Sequence, residues 1–315
     1  MDLQRMLEKC QRGQWSIDDL DWSGAPRPMA RQQEMAIVQH FVDMAGIERL
    51  ARALFVEQQR RTDDPLLRAI FATFIADEER HARVAEKLAR FYDVHHYRDY
   101  RMNPALVDFC PAFVDAIRYV SAEFANVYIT TGELLLDVAL LRSLGDFVAD
   151  PMCSRALHLI NRDEARHIAV DYYMFDHYAR THERHARTRS AGEWLQAGWS
   201  FARVLRRGGP FIQQIFMQPM QRLDPSRVRI RQAFKSMQLL GRKPEWAERP
   251  FPRFLLALHR LHNTPILGAL LGRALAALVG IPDDALTAHY TASEARRVRH
   301  MSFAELAREA RRRPD

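Results

Sequence analysis

Two short phrases in this chain have the residue types and spacing to do chemistry. Residues 77–85 read DEERHARVA and residues 163–171 read DEARHIAVD. In each, a Glu stands three residues before a His: Glu78 with His81, and Glu164 with His167. Positions i and i+3 of a helix lie on one face, so a carboxylate and an imidazole can reach the same metal ion. One Glu-x-x-His arises by chance on charged helices. Two copies, each preceded by Asp, are far more specific. The bland alternative is two solvated faces sharing one amphipathic pattern.

The elements that must position these residues are helices. Apolar residues recur at helical spacing almost everywhere, and no convincing alternating strand is found. Residues 1–28 read as an N-terminal extension, a short helix followed by the loop QWSIDDLDWSGAPRP. A long helix is expected from about Pro28 to Arg61. TDDP then makes a turn, with Pro65 near the start of a second helix that runs to about residue 93. After the long connection YDVHHYRDYRMNP, a third helix is expected to open at Pro111 and end near LGDFVADP. A fourth spans about Pro151 to Arg180. Four long helices joined short–long–short predict an all-α, ferritin-like four-helix bundle over residues 29–182. Residues 183–315 then form an additional C-terminal helical region packed on it, in which SFAE (302–305) reads as a capping box.

A site for two metal ions in such a bundle also needs one Glu from each of the other two helices. Depth selects them. Glu48 and Glu78 are equidistant from the turn centred near residue 63. Glu133 and Glu164 are matched, to within one residue, about the turn near residue 148. At about 1.5 Å rise per residue, all four carboxylates fall in one layer. Glu34, Glu57 and Glu123 do not. Glu48 and Glu133 also sit among apolar residues, where a carboxylate without a partner is costly. The expected ligands are therefore Glu48, Glu78, His81, Glu133, Glu164 and His167. Mixed oxygen and nitrogen donors suit iron or manganese. Asp77 and Asp163 are placed to hydrogen-bond the His of the partner helix, Asp77 with His167 and Asp163 with His81. Arg80 and Arg166 either pair with carboxylates around the site or make surface salt bridges.

Composition narrows the class. The 315 residues are 48% hydrophobic and 27% charged, as in soluble globular proteins. Three scattered cysteines, Cys10, Cys110 and Cys153, argue against a disulfide framework and a thiolate zinc site. No secretory signal is visible at the N-terminus, and a cytoplasmic location is expected. Net charge is +7, nearly all of it from Arg, but it is spread along the chain. No nucleic-acid motif accompanies it. TPILGALLGRALAALVGIP (264–282) is the most apolar stretch. It is short for a membrane span and reads rather as a buried helix, dimer face or interfacial contact.

At these residues the chain resembles the ferritin-like di-iron carboxylate superfamily, over about residues 29–180. That group includes acyl-carrier-protein desaturases, bacterial monooxygenases, arylamine N-oxygenases, the ribonucleotide reductase small subunit and ferritins. The resemblance implies an O2-activating non-haem di-iron oxidase or oxygenase with two iron ions, Fe/Fe or Mn/Fe, and O2 as co-substrate. It further implies hydroxylation, N-oxygenation or desaturation of a small or acyl-carrier-tethered substrate. With no flavin or nicotinamide fingerprint in the sequence, electrons must come from an external ferredoxin or reductase. A homodimer is the default assembly. A non-catalytic, iron-handling protein is the alternative.

Departures from the family patterns matter. The radical Tyr of the reductase subunit has no counterpart, since Ala85 stands four residues past His81, with Tyr92, Tyr128 and Tyr172 elsewhere. The extra His of the N-oxygenases is replaced by Ile160, with His158 on another face. Where desaturases place a Thr after the third helix's Glu, this chain has Leu136 and Asp137, and Thr130 and Thr131 come earlier. Asp137 and Asp171 are candidates for polar groups just outside the ligands, Asp171 also for an added ligand. Phe41, Met44, Phe55, Phe74, Ile129 and Leu136 are candidates to line a substrate pocket.

Overall fold

The computed structural model describes residues 1–119, 122–180, 190–247, 250–272 and 283–312. Among these the chain is all-α, with no strand. Helix α1 (Leu3–Arg12) begins at Asp2, whose side chain accepts from the Arg5 N–H. Helices α2 (Arg31–Arg61) and α3 (Pro65–Tyr92) form a hairpin closed by three residues. Its turn is fixed by Asp64, which accepts from the Leu66 and Leu67 N–H groups, and by Pro65 at the first helical position.

The third long helix begins later than the sequence predicts. Pro111 lies inside a separate helix, α4 (Pro104–Ile117), which Asn103 caps by accepting from the Ala105 N–H. A proline in a helix withholds one N–H from the carbonyl four residues back. Here that carbonyl belongs to Val107, which is 49% exposed, so water can take the proton donor's place. α4 packs outside, against α2 and α8 (Ala191–Phe211).

The helix that faces α2 and α7 instead starts as α5 (Ala122–Glu133). It continues through a π-helical stretch, Leu134–Leu141, into α6 (Arg142–Val148). Such wide turns concentrate at functional sites, and this one begins directly after Glu133. Ala149 adopts the left-handed conformation that ends α6. Asp150 then accepts from the Met152 N–H at 2.9 Å, which starts α7 (Pro151–Arg180). α2 meets α3, α3 meets α7, α7 meets α5 and the π stretch, and α5 meets α2. Four helical segments thus surround one interior.

The C-terminal region covers this arrangement. Helix α10 (Val228–Leu240) packs on the π stretch, and the helix Phe303–Ala310 packs on α7. Ser302 and Glu305 form the capping box expected there. A continuous buried apolar cluster runs from Cys10 to Ala310. Of the apolar stretch 264–282, only residues 264–272 are described; Ile266 and Leu270 there are 73% and 70% exposed rather than buried. Among the described residues, no helix is long and apolar enough to cross a membrane.

Candidate metal centre

The hairpin and the α5–α7 segments bring the six expected ligand side chains together. Glu48 comes from α2, Glu78 and His81 from α3, Glu133 from the end of α5, and Glu164 and His167 from α7. All six are buried. They form two overlapping groups whose donor atoms lie within 4.8 Å of one another. One is Glu48, Glu78, His81 and Glu164; the other is Glu78, Glu133, Glu164 and His167. Glu78 and Glu164 belong to both. Each imidazole turns Nδ1 to these shared carboxylates. His81 Nδ1 stands 3.1 Å from Glu164, and His167 Nδ1 stands 3.0 Å from Glu78 and 3.2 Å from Glu164.

The donor set fits a divalent cation. Both oxygens of Glu48, one of Glu133 and one of Glu164 are buried without a hydrogen-bond partner, as is His81 Nδ1. Buried charges in proteins are paired or bind metal, and among the described residues no Arg or Lys pairs with Glu48 or Glu133. Burial, then the charge of neighbouring carboxylates, pushes Glu48 and Glu133 well above the usual carboxylate range. Burial opposes ionisation of Glu164 too, but His167 and His81 outweigh it and hold Glu164 well below that range. Burial would likewise push both histidines down. The hydrogen bond that His81 donates to Asp163, and the Glu164 charge beside His167, lift them well above the ordinary imidazole value instead. Without a cation, protons hold the site together; a cation would displace them.

Behind these six side chains lies a second layer, in which both aspartates are paired. His81 Nε2 is 3.1 Å from Asp163 and His167 Nε2 is 3.4 Å from Asp77, the cross-helix pairing read from the sequence. Arg166, buried, donates to Asp163 at 2.5 Å and to Asp77 at 3.4 Å. Arg80 pairs with Asp77 and, at 3.1 Å, with Asp163. The two arginines therefore bridge the two aspartates rather than lying on the surface.

Two members of this layer carry no signal in the sequence. Gln14 donates to Asp77 at 2.9 Å, and Trp15 Nε1 donates to Asp163 at 2.7 Å. Trp15 also stacks beside the His81 ring, and the Arg80 guanidinium lies 5.0 Å from the Trp15 ring centroid. The N-terminal segment is thus a wall of the site. Gly13 allows the approach: a Cβ there would stand 2.7 Å from Arg166 Nη1. Trp15 and Asp163 are 148 residues apart, beyond any local pattern.

The remaining expectations fall as follows. Asp137 is buried, 3.5 Å from Arg142, and burial pushes it up to about 7. Asp171 is buried with neither carboxylate oxygen hydrogen-bonded. Neither belongs to the two ligand groups. Phe41, Met44, Phe55, Phe74, Ile129 and Leu136 are all core residues. Phe55 and Phe74 pack against the His167 ring at 5.2 and 4.1 Å, whereas Phe41 stacks on Tyr92. Ala85 is buried, and the Tyr92 hydroxyl donates to Asp150. Glu34, rejected by depth, is occupied by His95. Set against known proteins, the chain matches no family model and no curated sequence, so the geometry itself carries the functional reading.

Proposed function

We propose that this chain is a di-iron oxidase or oxygenase that uses O2 to oxidise a small or carrier-tethered organic substrate. The observation that carries the reading is the pair of overlapping ligand groups sharing Glu78 and Glu164. In it, Glu48 and His81 would hold one metal ion, Glu133 and His167 the other, and the shared carboxylates would contribute to both. Two ferrous ions held there would supply the electrons that reduce O2 and generate an oxidant for a C–H or N–H bond. The same donors accept manganese in one position.

The chain's own residues do the rest. Asp77 and Asp163 hold each imidazole with Nδ1 toward the metal positions. Hydrogen bonds from His167 and His81, and Arg166 beside Asp163, hold those aspartates ionised. Phe55 and Phe74 keep water from one side, and Trp15 from another. Electrons come from an external ferredoxin or reductase.

A second reading, a non-catalytic metal-binding protein, is favoured by the closed apolar wall. All six residues expected to line a substrate pocket are packed in the core. One experiment separates the two. The protein is loaded with Fe(II) without air, assayed for iron, then mixed rapidly with O2 and followed optically. The oxidase reading expects about two irons per chain and a transient visible band, both absent in Glu164→Ala. Stoichiometric iron without a transient supports the second reading. No bound iron overturns both.

A further inference from the structure

A groove of about 990 Å³ lies between α2, α6 and the helical stretch 212–223, and none of the six metal-site residues lines it. Its α2 wall includes Ala36, His40, Asp43 and Ile47. These repeat at helical spacing and form one face of α2; Glu48 belongs to the adjoining, inward face. Along the axis, His40 is about 12 Å from the ligand layer.

Three features give the groove a chemistry. Its floor is apolar, from Ile47, Leu144, Phe147 and Ile215. His40 lines it, is only 8% exposed, and its Nε2 has no hydrogen-bond partner. Burial pushes this imidazole down to about 4, so it is neutral near pH 7 and offers a hydrogen bond without a charge. A buried polar atom left unpaired is costly, and turning the ring so that Nε2 meets a ligand atom would relieve that cost. The rim is cationic. Arg98 and Arg222 both line it, Arg98 donating to Gln39. The one acid of the wall, Asp43, is already engaged by the Asn103 N–H at 2.7 Å and Gln39 at 3.1 Å.

We propose that this groove binds an amphipathic organic anion, with an apolar body on the Phe147–Ile215 floor, a polar atom on His40 Nε2 and an acidic head at Arg222. The volume suits a ligand of this size. The inference stands apart from the metal reading and is tested in metal-free and metal-loaded protein alike.

The probe is the fluorescence of 8-anilinonaphthalene-1-sulfonate, displaced by octanoate, with octan-1-ol as the uncharged control. The expected result is saturable probe binding, displaced by octanoate and at least tenfold less well by octanol. Arg222→Glu, at an exposed position, should weaken octanoate at least tenfold with unchanged melting temperature and iron content. His40→Phe should weaken both competitors. Equal displacement by octanol, wild-type octanoate affinity in Arg222→Glu, or no saturable probe binding would each overturn the proposal.

Discussion

Glu78 and Asp77 are neighbours on α3, as are Glu164 and Asp163 on α7, yet they live in opposite electrostatic worlds. The glutamates point into an interior where oxygens of Glu48, Glu133 and Glu164 find no hydrogen-bond donor. The aspartates point into a layer where Arg80, Arg166, Gln14, Trp15 and the two histidines supply donors to both. Burial opposes ionisation in both layers. In the outer one the hydrogen bonds from His167 and His81 win, and Asp77 and Asp163 are held below the usual carboxylate range. In the inner one burial and like charge win at Glu48 and Glu133. The outer layer pairs its aspartates as the chain folds. The inner layer leaves carboxylate oxygens without hydrogen-bond donors, which is the property of a metal site.

The comparison is broken most directly by removing one residue from each layer. Glu164→Ala takes a ligand from both groups, and metal analysis after Fe(II) loading should find stoichiometric binding lost. Asp163→Asn keeps all six ligands and should retain metal with about 10–100-fold lower affinity, read by competition with a chelator. Equal losses in the two variants would erase the distinction between the layers.

Arg166→Met tests whether the outer layer is structural. It leaves Asp163 buried with one strong partner fewer, and breaking a buried ion pair costs about 3–5 kcal/mol. Denaturant unfolding of the metal-free protein should show that loss, and Arg80 alone compensating fully would refute it.

The layers also predict opposite pH responses in the metal-free protein. Glu48 has a folded pKa raised above its ordinary 4.5. The folded state keeps a proton that the unfolded chain releases, so this contribution to stability falls as pH rises from about 4.5. Asp163 has a folded pKa below its ordinary 3.8, so its contribution is present above that pH and is lost as pH falls through the folded value. Glu48→Gln should therefore stabilise the metal-free protein at neutral pH and flatten the decline on the alkaline side. Asp163→Asn should destabilise it and flatten the acid limb. Iron reverses the Glu48→Gln effect, because the cation needs the ionised carboxylate. Thermal melts across pH, with and without metal, read all of this.

The smallest change is Trp15→Phe. It keeps the ring beside His81 but removes one hydrogen bond to the ionised Asp163, worth about 1.5–3 kcal/mol. A slightly lower melting temperature and a few-fold weaker metal affinity are expected. No shift in either would place Trp15 outside the layer.

Much of the site was legible because it is written in helical repeats. The doubled Asp-Glu-x-x-His spacing named four members of the candidate metal centre and both cross-helix Asp–His pairs. Glu48 and Glu133 followed from depth about the two turns. The errors arose where local rules compete. Pro111 reads as a helix start, but Asn103 and Pro104 supply a better one and an exposed Val107 carbonyl tolerates the missing N–H. The π stretch after Glu133 left no mark in an unbroken apolar run, LLLDVALL.

The amino-acid sequence by itself determined the helical class, the hairpin turn and which carboxylates and imidazoles gather in the interior, since periodicity, caps and turn residues act over a few positions. Only the tertiary structure decided that Arg80 and Arg166 bridge the two aspartates, that Gln14 and Trp15 complete their coordination, and that the expected pocket residues close into a core. Those outcomes depend on how far each helix is rotated about its axis and where a distant segment lands. Both are set by packing across the whole interior, and no local pattern encodes them.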